Sequence, residues 1–64
     1  MPVVTIDWYE GRSDEQKAEV AARVTAVLVE VGKTRREDVW IRFVDSPKGD
    51  WAFGGVKNDA ARDA

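Results

Sequence analysis

The 64-residue chain contains no histidine and no cysteine. The first absence excludes imidazole acid–base chemistry, the Ser-His-Asp arrangement and most zinc sites. The second removes disulfides and leaves the redox compartment open. No apolar run approaches the roughly 20 residues that span a bilayer, and no signal-peptide pattern precedes Pro2. A soluble cytoplasmic protein with no membrane partner is therefore expected. Ten basic residues interleave with twelve acidic ones for a net charge of −2. With no basic patch, nucleic acid is not an expected partner. Phosphate-binding glycine motifs are missing too, since Gly54-Gly55 is too short to cradle a phosphate. Asp45 and Asp50, across a Pro-Gly loop, read as solvated turn residues rather than metal ligands. No metal and no cofactor are expected.

Smallness is the next constraint. A chain of this length buries only about 60% of the surface its unfolded form exposes. Scaffolds below roughly 70–80 residues need a staple, and with disulfides and zinc excluded only association with other subunits is left. The expectation is one domain over residues 1–64 that is an obligate oligomer.

Val3 to Tyr9 is rich in β-branched and aromatic residues and reads as a strand, with Val4, Ile6 and Trp8 on one face. Val3, Thr5, Asp7 and Tyr9 fall on the other. Glu10-Gly11-Arg12 is a turn. Ser13 is placed as an N-cap, and Gln16 completes a capping box. The helix is expected from about Asp14 to Val31, stopped by Gly32. Val20, Val24, Val27 and Val31 follow helical spacing beside Ala21 and Leu28, and are expected to pack on the sheet. Ala18, Ala22, Ala26 and Val29 make the opposite side apolar as well, which again points to a partner subunit. Val39–Val44 reads as a second strand, with Trp40, Arg42 and Val44 on one face. Strand, long helix and strand define an α/β chain, a β-α-β unit with parallel strands. Ser46–Asp50 is a loop, and Gly54-Gly55 suits a short hairpin around Val56. Residues 57–64 form a charged, alanine-rich tail, frayed or weakly helical.

Few residues are left to carry chemistry. Pro2 follows Met1 directly, and its small size permits removal of the initiator. Removal would leave a secondary amine fixed at the root of a strand. Arginine suits a carboxylate or an enolate oxygen because its planar fork donates two parallel hydrogen bonds. On residue type alone, Arg12 reads as a surface turn residue and Trp51 as core packing. Seven strand residues also set Pro2 and Arg12 roughly 23 Å apart in one chain. They meet only if one chain's turn approaches another chain's terminus.

Pro2, the run Glu10-Gly11-Arg12-Ser13-Asp14-Glu15-Gln16-Lys17, and Lys48-Gly49-Asp50-Trp51 leading into Gly54-Gly55 resemble the 4-oxalocrotonate tautomerase family. The resemblance runs from Pro2 to Gly55. It implies a homohexamer, a trimer of dimers, with sites where subunits meet. It also implies that Pro2, its pKa lowered, is the general base moving a proton between an enol hydroxyl and a carbon of the conjugated ketone. Arg12 matches the arginine that holds a substrate carboxylate. Trp51 matches an aromatic residue of the pocket wall.

One position departs from the family pattern. Well-studied members carry an arginine on the second strand that polarises the keto oxygen, and here that position is Trp40. Arg42 lies two residues on, about 7 Å along the strand. Loss of such an electrophile removes stabilisation worth roughly 3–4 kcal/mol. Trp40 offers a single neutral indole N–H instead. The resemblance therefore implies an enol–keto tautomerase of a 2-hydroxydienoate or related 2-oxo acid, with an aryl-bearing monocarboxylate suiting the aromatic wall. A 3-haloacrylate hydratase or dehalogenase, with Asp45, Asp7 or Glu10 activating water, is the alternative. A structural oligomer that has lost catalysis is the third reading.

Overall fold

The computed structural model describes residues 1–58. β1 (Val3–Tyr9) leads into α1 (Asp14–Glu30), and the chain returns in β2 (Trp40–Ser46). β1 and β2 are parallel, with Val3 opposite Trp40 and Tyr9 opposite Ser46. The observed β2 starts one residue later and ends two residues later than the hydrophobic run suggests. Asp45 and Ser46 belong to the strand because its last rungs bring them opposite Trp8 and Tyr9. The chain then makes a short 3-10 turn at Lys48–Asp50, and β3 (Ala52–Phe53) pairs antiparallel with β4 (Val56–Lys57). Gly54 and Gly55 join them at φ 60° and 82°. Two successive positive φ angles define the type I′ hairpin turn, which side chains with a Cβ resist.

The start of α1 is built as the sequence indicates. Gln16 N–H donates to the Ser13 hydroxyl at 3.1 Å, and Ser13 N–H donates to the Gln16 carboxamide at 2.9 Å. Asp14 and Glu15 occupy the first turn, where the helix dipole favours negative charge. The helix ends one residue earlier than expected, at Glu30, with Val31 as its cap. Gly32 is there for room: a Cβ would lie 2.7 Å from the Leu28 carbonyl oxygen. Lys33, not Gly32, takes the left-handed backbone, at φ 58°.

Strand partners share a face in a parallel pair. Val4 with Ile41, Ile6 with Phe43, and Trp8 with Asp45 lie on the side α1 covers, and all but Asp45 are half-buried. On the reverse side Val3, Thr5, Asp7, Trp40 and Arg42 are exposed. The stripe of α1 that meets the sheet centres on Lys17, Ala21, Val24 and Leu28, all half-buried. At 3.6 residues per turn Val27 lies off its edge, and Val31 is the cap beyond the helix end. They are 58% and 78% exposed, which corrects their expected place against the sheet.

No apolar side chain among the described residues is fully buried. The radius of gyration is 15.0 Å, against about 11 Å for a compact chain of this size. One full-length helix laid on two strands leaves the apolar residues among those described half-buried or exposed. Among the described residues, no helix is long and apolar enough to cross a membrane. Lys57 and Asn58 correct the expectation of a frayed tail: Lys57 lies in β4, and Asn58, at 1% exposure, is the one fully buried side chain among the described residues. The rest of that tail, 59–64, lies outside the described residues.

Candidate active site

The residues singled out by sequence fall into two groups at opposite ends of the parallel strands. Pro2 sits at the start of β1, where its carbonyl accepts the N–H of Trp40 at 3.0 Å. This bond ties the residue before β1 to the first residue of β2, so Pro2 is held at the strand root. Trp40 is 62% exposed beside it. Arg42 stands opposite Thr5 on the same open face and makes no ion pair among the described residues.

The second group gathers where β1 and β2 end. Gly11, at φ 122°, turns the chain sharply after β1. Arg12 is thereby folded back onto the strand it has just left. Its guanidinium carbon lies 4.7 Å from the centre of the Trp8 ring, and Nη1–H donates to the Tyr9 carbonyl at 3.0 Å. Trp51 is held by its indole N–H, which donates to the Ser46 hydroxyl at 2.8 Å. Its ring meets Tyr9 edge-on at 5.7 Å. Asp7, Trp8, Tyr9, Arg12, Trp51 and Phe53 together line an open concavity, a largely aromatic wall with one cation and one carboxylate. Arg12 and Trp51 are thus brought together; Pro2, Trp40 and Arg42 are not among its lining residues.

The surroundings of Asp45 shift its carboxyl. Lys17 Nζ–H and Trp8 Nε1–H each donate to it at 2.5 Å. The Lys17 hydrogen bond, then that of Trp8, hold its carboxyl below the ordinary carboxylate value. Both of its oxygens are occupied, one by each donor. Asp7, by contrast, faces the concavity.

Two supporting groups are not legible from residue types. Asn58 donates Nδ2–H to the Tyr9 hydroxyl at 3.2 Å and to the Lys48 carbonyl at 3.1 Å. Its own N–H donates to the Trp51 carbonyl at 2.7 Å. It therefore ties the hairpin end to Tyr9 and Trp51, two of the aromatic residues of the wall. The only signal for it is position, three residues beyond the Gly-Gly turn. Trp8 is the other: it reads as a core residue, yet it carries Arg12.

A β-α-β chain with a terminal hairpin, an anchored proline at one end and an arginine–tryptophan cluster at the other defines a class of small α/β chains. Comparison with known proteins identifies which. The family model for tautomerase enzymes matches residues 2–60, and the chain belongs to that family. A probable tautomerase of Streptococcus pyogenes serotype M3 is 45% identical over 49 residues, covering 77% of this chain and 80% of that protein. Among solved structures, a 4-oxalocrotonate tautomerase isozyme from Methylibium petroleiphilum is 38% identical, with a TM-score of 0.77 over 88% of this chain and 90% of that one. A structure studied for trans-3-chloroacrylic acid dehalogenase activity shares the fold, at 24% identity and a TM-score of 0.78, covering 91% of this chain and 100% of that one.

Proposed function

We propose that this protein is a cytoplasmic enol–keto tautomerase that uses the amine of Pro2 as general base once Met1 is removed. The observation that carries this reading is the anchoring of Pro2 by the Trp40 N–H at 3.0 Å. An amine freed at that point is held in one direction, which a flexible terminus is not. In an apolar setting near a cation its charged form is disfavoured, and its pKa moves toward the operating pH. It would then take a proton from the enol hydroxyl and return it to carbon.

Arg12 is assigned the substrate carboxylate, and Trp51 the pocket wall. Because both lie at the far end of β1 from Pro2, the complete site requires a neighbouring chain's turn beside Pro2. A homohexamer, a trimer of dimers, meets this need. The half-open apolar faces of α1 and the sheet support such assembly. Trp40 or Arg42 takes the place of the missing second-strand arginine. An aryl-bearing 2-oxo acid suits this aromatic setting better than a dicarboxylic dienol.

A second reading has its own observation. Asp7 lines the same concavity as Arg12 and Trp51, whereas Asp45 is committed to Lys17 and Trp8. In a hydratase of haloacrylates, Asp7 is the carboxylate that would activate water.

Conversion of phenylenolpyruvate and of 2-hydroxymuconate, followed by absorbance, separates these readings after mass spectrometry has established loss of Met1. Pro2→Ala is expected to lower kcat/KM by at least about 100-fold. An unchanged rate would remove Pro2 as the base. Turnover of 3-chloroacrylate alone, abolished by Asp7→Asn, would favour the second reading.

A further inference from the structure

The carboxylate-binding role given to Arg12 leaves open how an exposed arginine on a turn is kept in one place. Unrestrained, such a side chain samples many rotamers, and every binding event must freeze them. Here it rests on the ring of Trp8, and Phe43, Asp45 and Lys17 in turn hold that ring, so three elements take part. Trp8, on β1, stacks on Phe43 of β2 with ring centres 5.3 Å apart and planes 12° from parallel. Its indole N–H donates to Asp45 at 2.5 Å, and Asp45 also accepts from Lys17 on α1. The indole is thus fixed at its edge and along its ring, and Arg12 rests 4.7 Å over that ring. Of the five guanidinium N–H donors, one is spent on the Tyr9 carbonyl. The Nε–Nη2 edge keeps two parallel donors, the pair that matches a carboxylate. A stacked fork with one of its five donors used differs from an arginine locked into a structural ion pair. No carboxylate of the described residues forms a salt bridge with it.

We propose that Trp8 is the positioning residue for Arg12, with Asp45 and Lys17 holding the indole on which the guanidinium rests. The inference builds on the assignment of Arg12 to the substrate carboxylate. Its consequence is specific: Trp8 influences carboxylate binding only through Arg12. A tryptophan that merely filled space would alter stability, and binding too if at all, whether or not Arg12 were present.

Calorimetric titration with cis,cis-muconate, a dicarboxylate with no enol to convert, tests this without relying on turnover. Trp8→Leu is expected to weaken muconate binding about tenfold, and Trp8→Phe, which keeps a ring but loses the N–H, about threefold. Asp45→Ala is expected to act like Trp8→Phe. In an Arg12→Ala background, each of these changes should alter the affinity by less than about twofold, the mark of residues that act as a unit. Melting and sedimentation of every variant establish that the folded assembly is being compared. If Trp8→Leu does not fold, Trp8→Phe and Asp45→Ala carry the same comparison. Wild-type affinity in these variants, or a loss that persists undiminished without Arg12, would overturn the proposal. So would an Arg12→Ala protein that binds muconate normally. Absence of enol turnover, in contrast, would count against the tautomerase reading and leave the titration result standing.

Discussion

Asn58 and Asp45 show how much of this molecule is decided by single polar side chains. Asn58 is buried at 1% exposure and bonds Tyr9, Lys48 and Trp51. Deleting a buried hydrogen-bonding group costs about 1–3 kcal/mol, so Asn58→Ala should lower the melting temperature by that equivalent. Loosening of Trp51 should appear as a red-shifted tryptophan emission, and an unchanged spectrum would show that the hairpin needs no such tie. Asp45 makes a prediction about pH. Its carboxyl is lowered from 3.8 by its hydrogen bonds to Lys17 and Trp8. A depressed folded-state value stabilises the protein above the unfolded value and ceases to do so as pH falls through the folded one. Wild type and Asp45→Asn should therefore differ in melting temperature at pH 7 and converge well below pH 3.8. Parallel curves across that range would contradict the assignment. No such reading follows from the sequence, because Asp45 lies 28 residues from Lys17 and 37 from Trp8. The parallel register sets Asp45 beside Trp8, and the helix laid over the strands brings Lys17 to it.

The elements themselves were far more legible. Local rules wrote β1, the capping box and the Gly-Gly turn, since each depends on residues within a few positions of one another. Ser13→Ala removes the cap of α1 and should cost about 1 kcal/mol, measured by denaturant unfolding at fixed protein concentration. A change under a few tenths would mean that the sheet, not the cap, sets where the helix starts. What local rules missed was orientation. Val20 and Val24 are half-buried as expected, but Val27 and Val31 of the same series are exposed, and spacing alone does not choose which members of an apolar series the sheet covers. The choice is made by where the two strands lie, which is tertiary information. Gly32 illustrates the same limit. Its position was readable, but its cause is a close approach to the Leu28 carbonyl, and that is visible only once the helix end is built. Of the candidate site, position and residue type drew attention to Pro2, whereas Arg12 and Trp51 read by type as a turn residue and core packing and were singled out by the family resemblance. The support of Arg12 by Trp8 was hidden because tryptophan in a strand reads as packing.

At the scale of the whole molecule, the chain is a single layer of helix over two strands with no fully buried apolar side chain among the described residues. In the proposed hexamer a subunit so open would derive its core from its neighbours, and the parts of the proposed site would be divided in the same way. Pro2 and Arg12 are separated by the length of β1, about 23 Å. A lesion in Pro2 and a lesion in Arg12 would then damage different corners of a shared site. Two inactive proteins, Pro2→Ala and Arg12→Ala, unfolded together and refolded as a mixture, should recover about a quarter of the wild-type rate, because that share of randomly assembled sites draws both groups from undamaged chains. Mixing without refolding should recover nothing until subunits exchange. The strand that keeps the two residues apart in one chain would in this way let two defective copies of the protein repair each other.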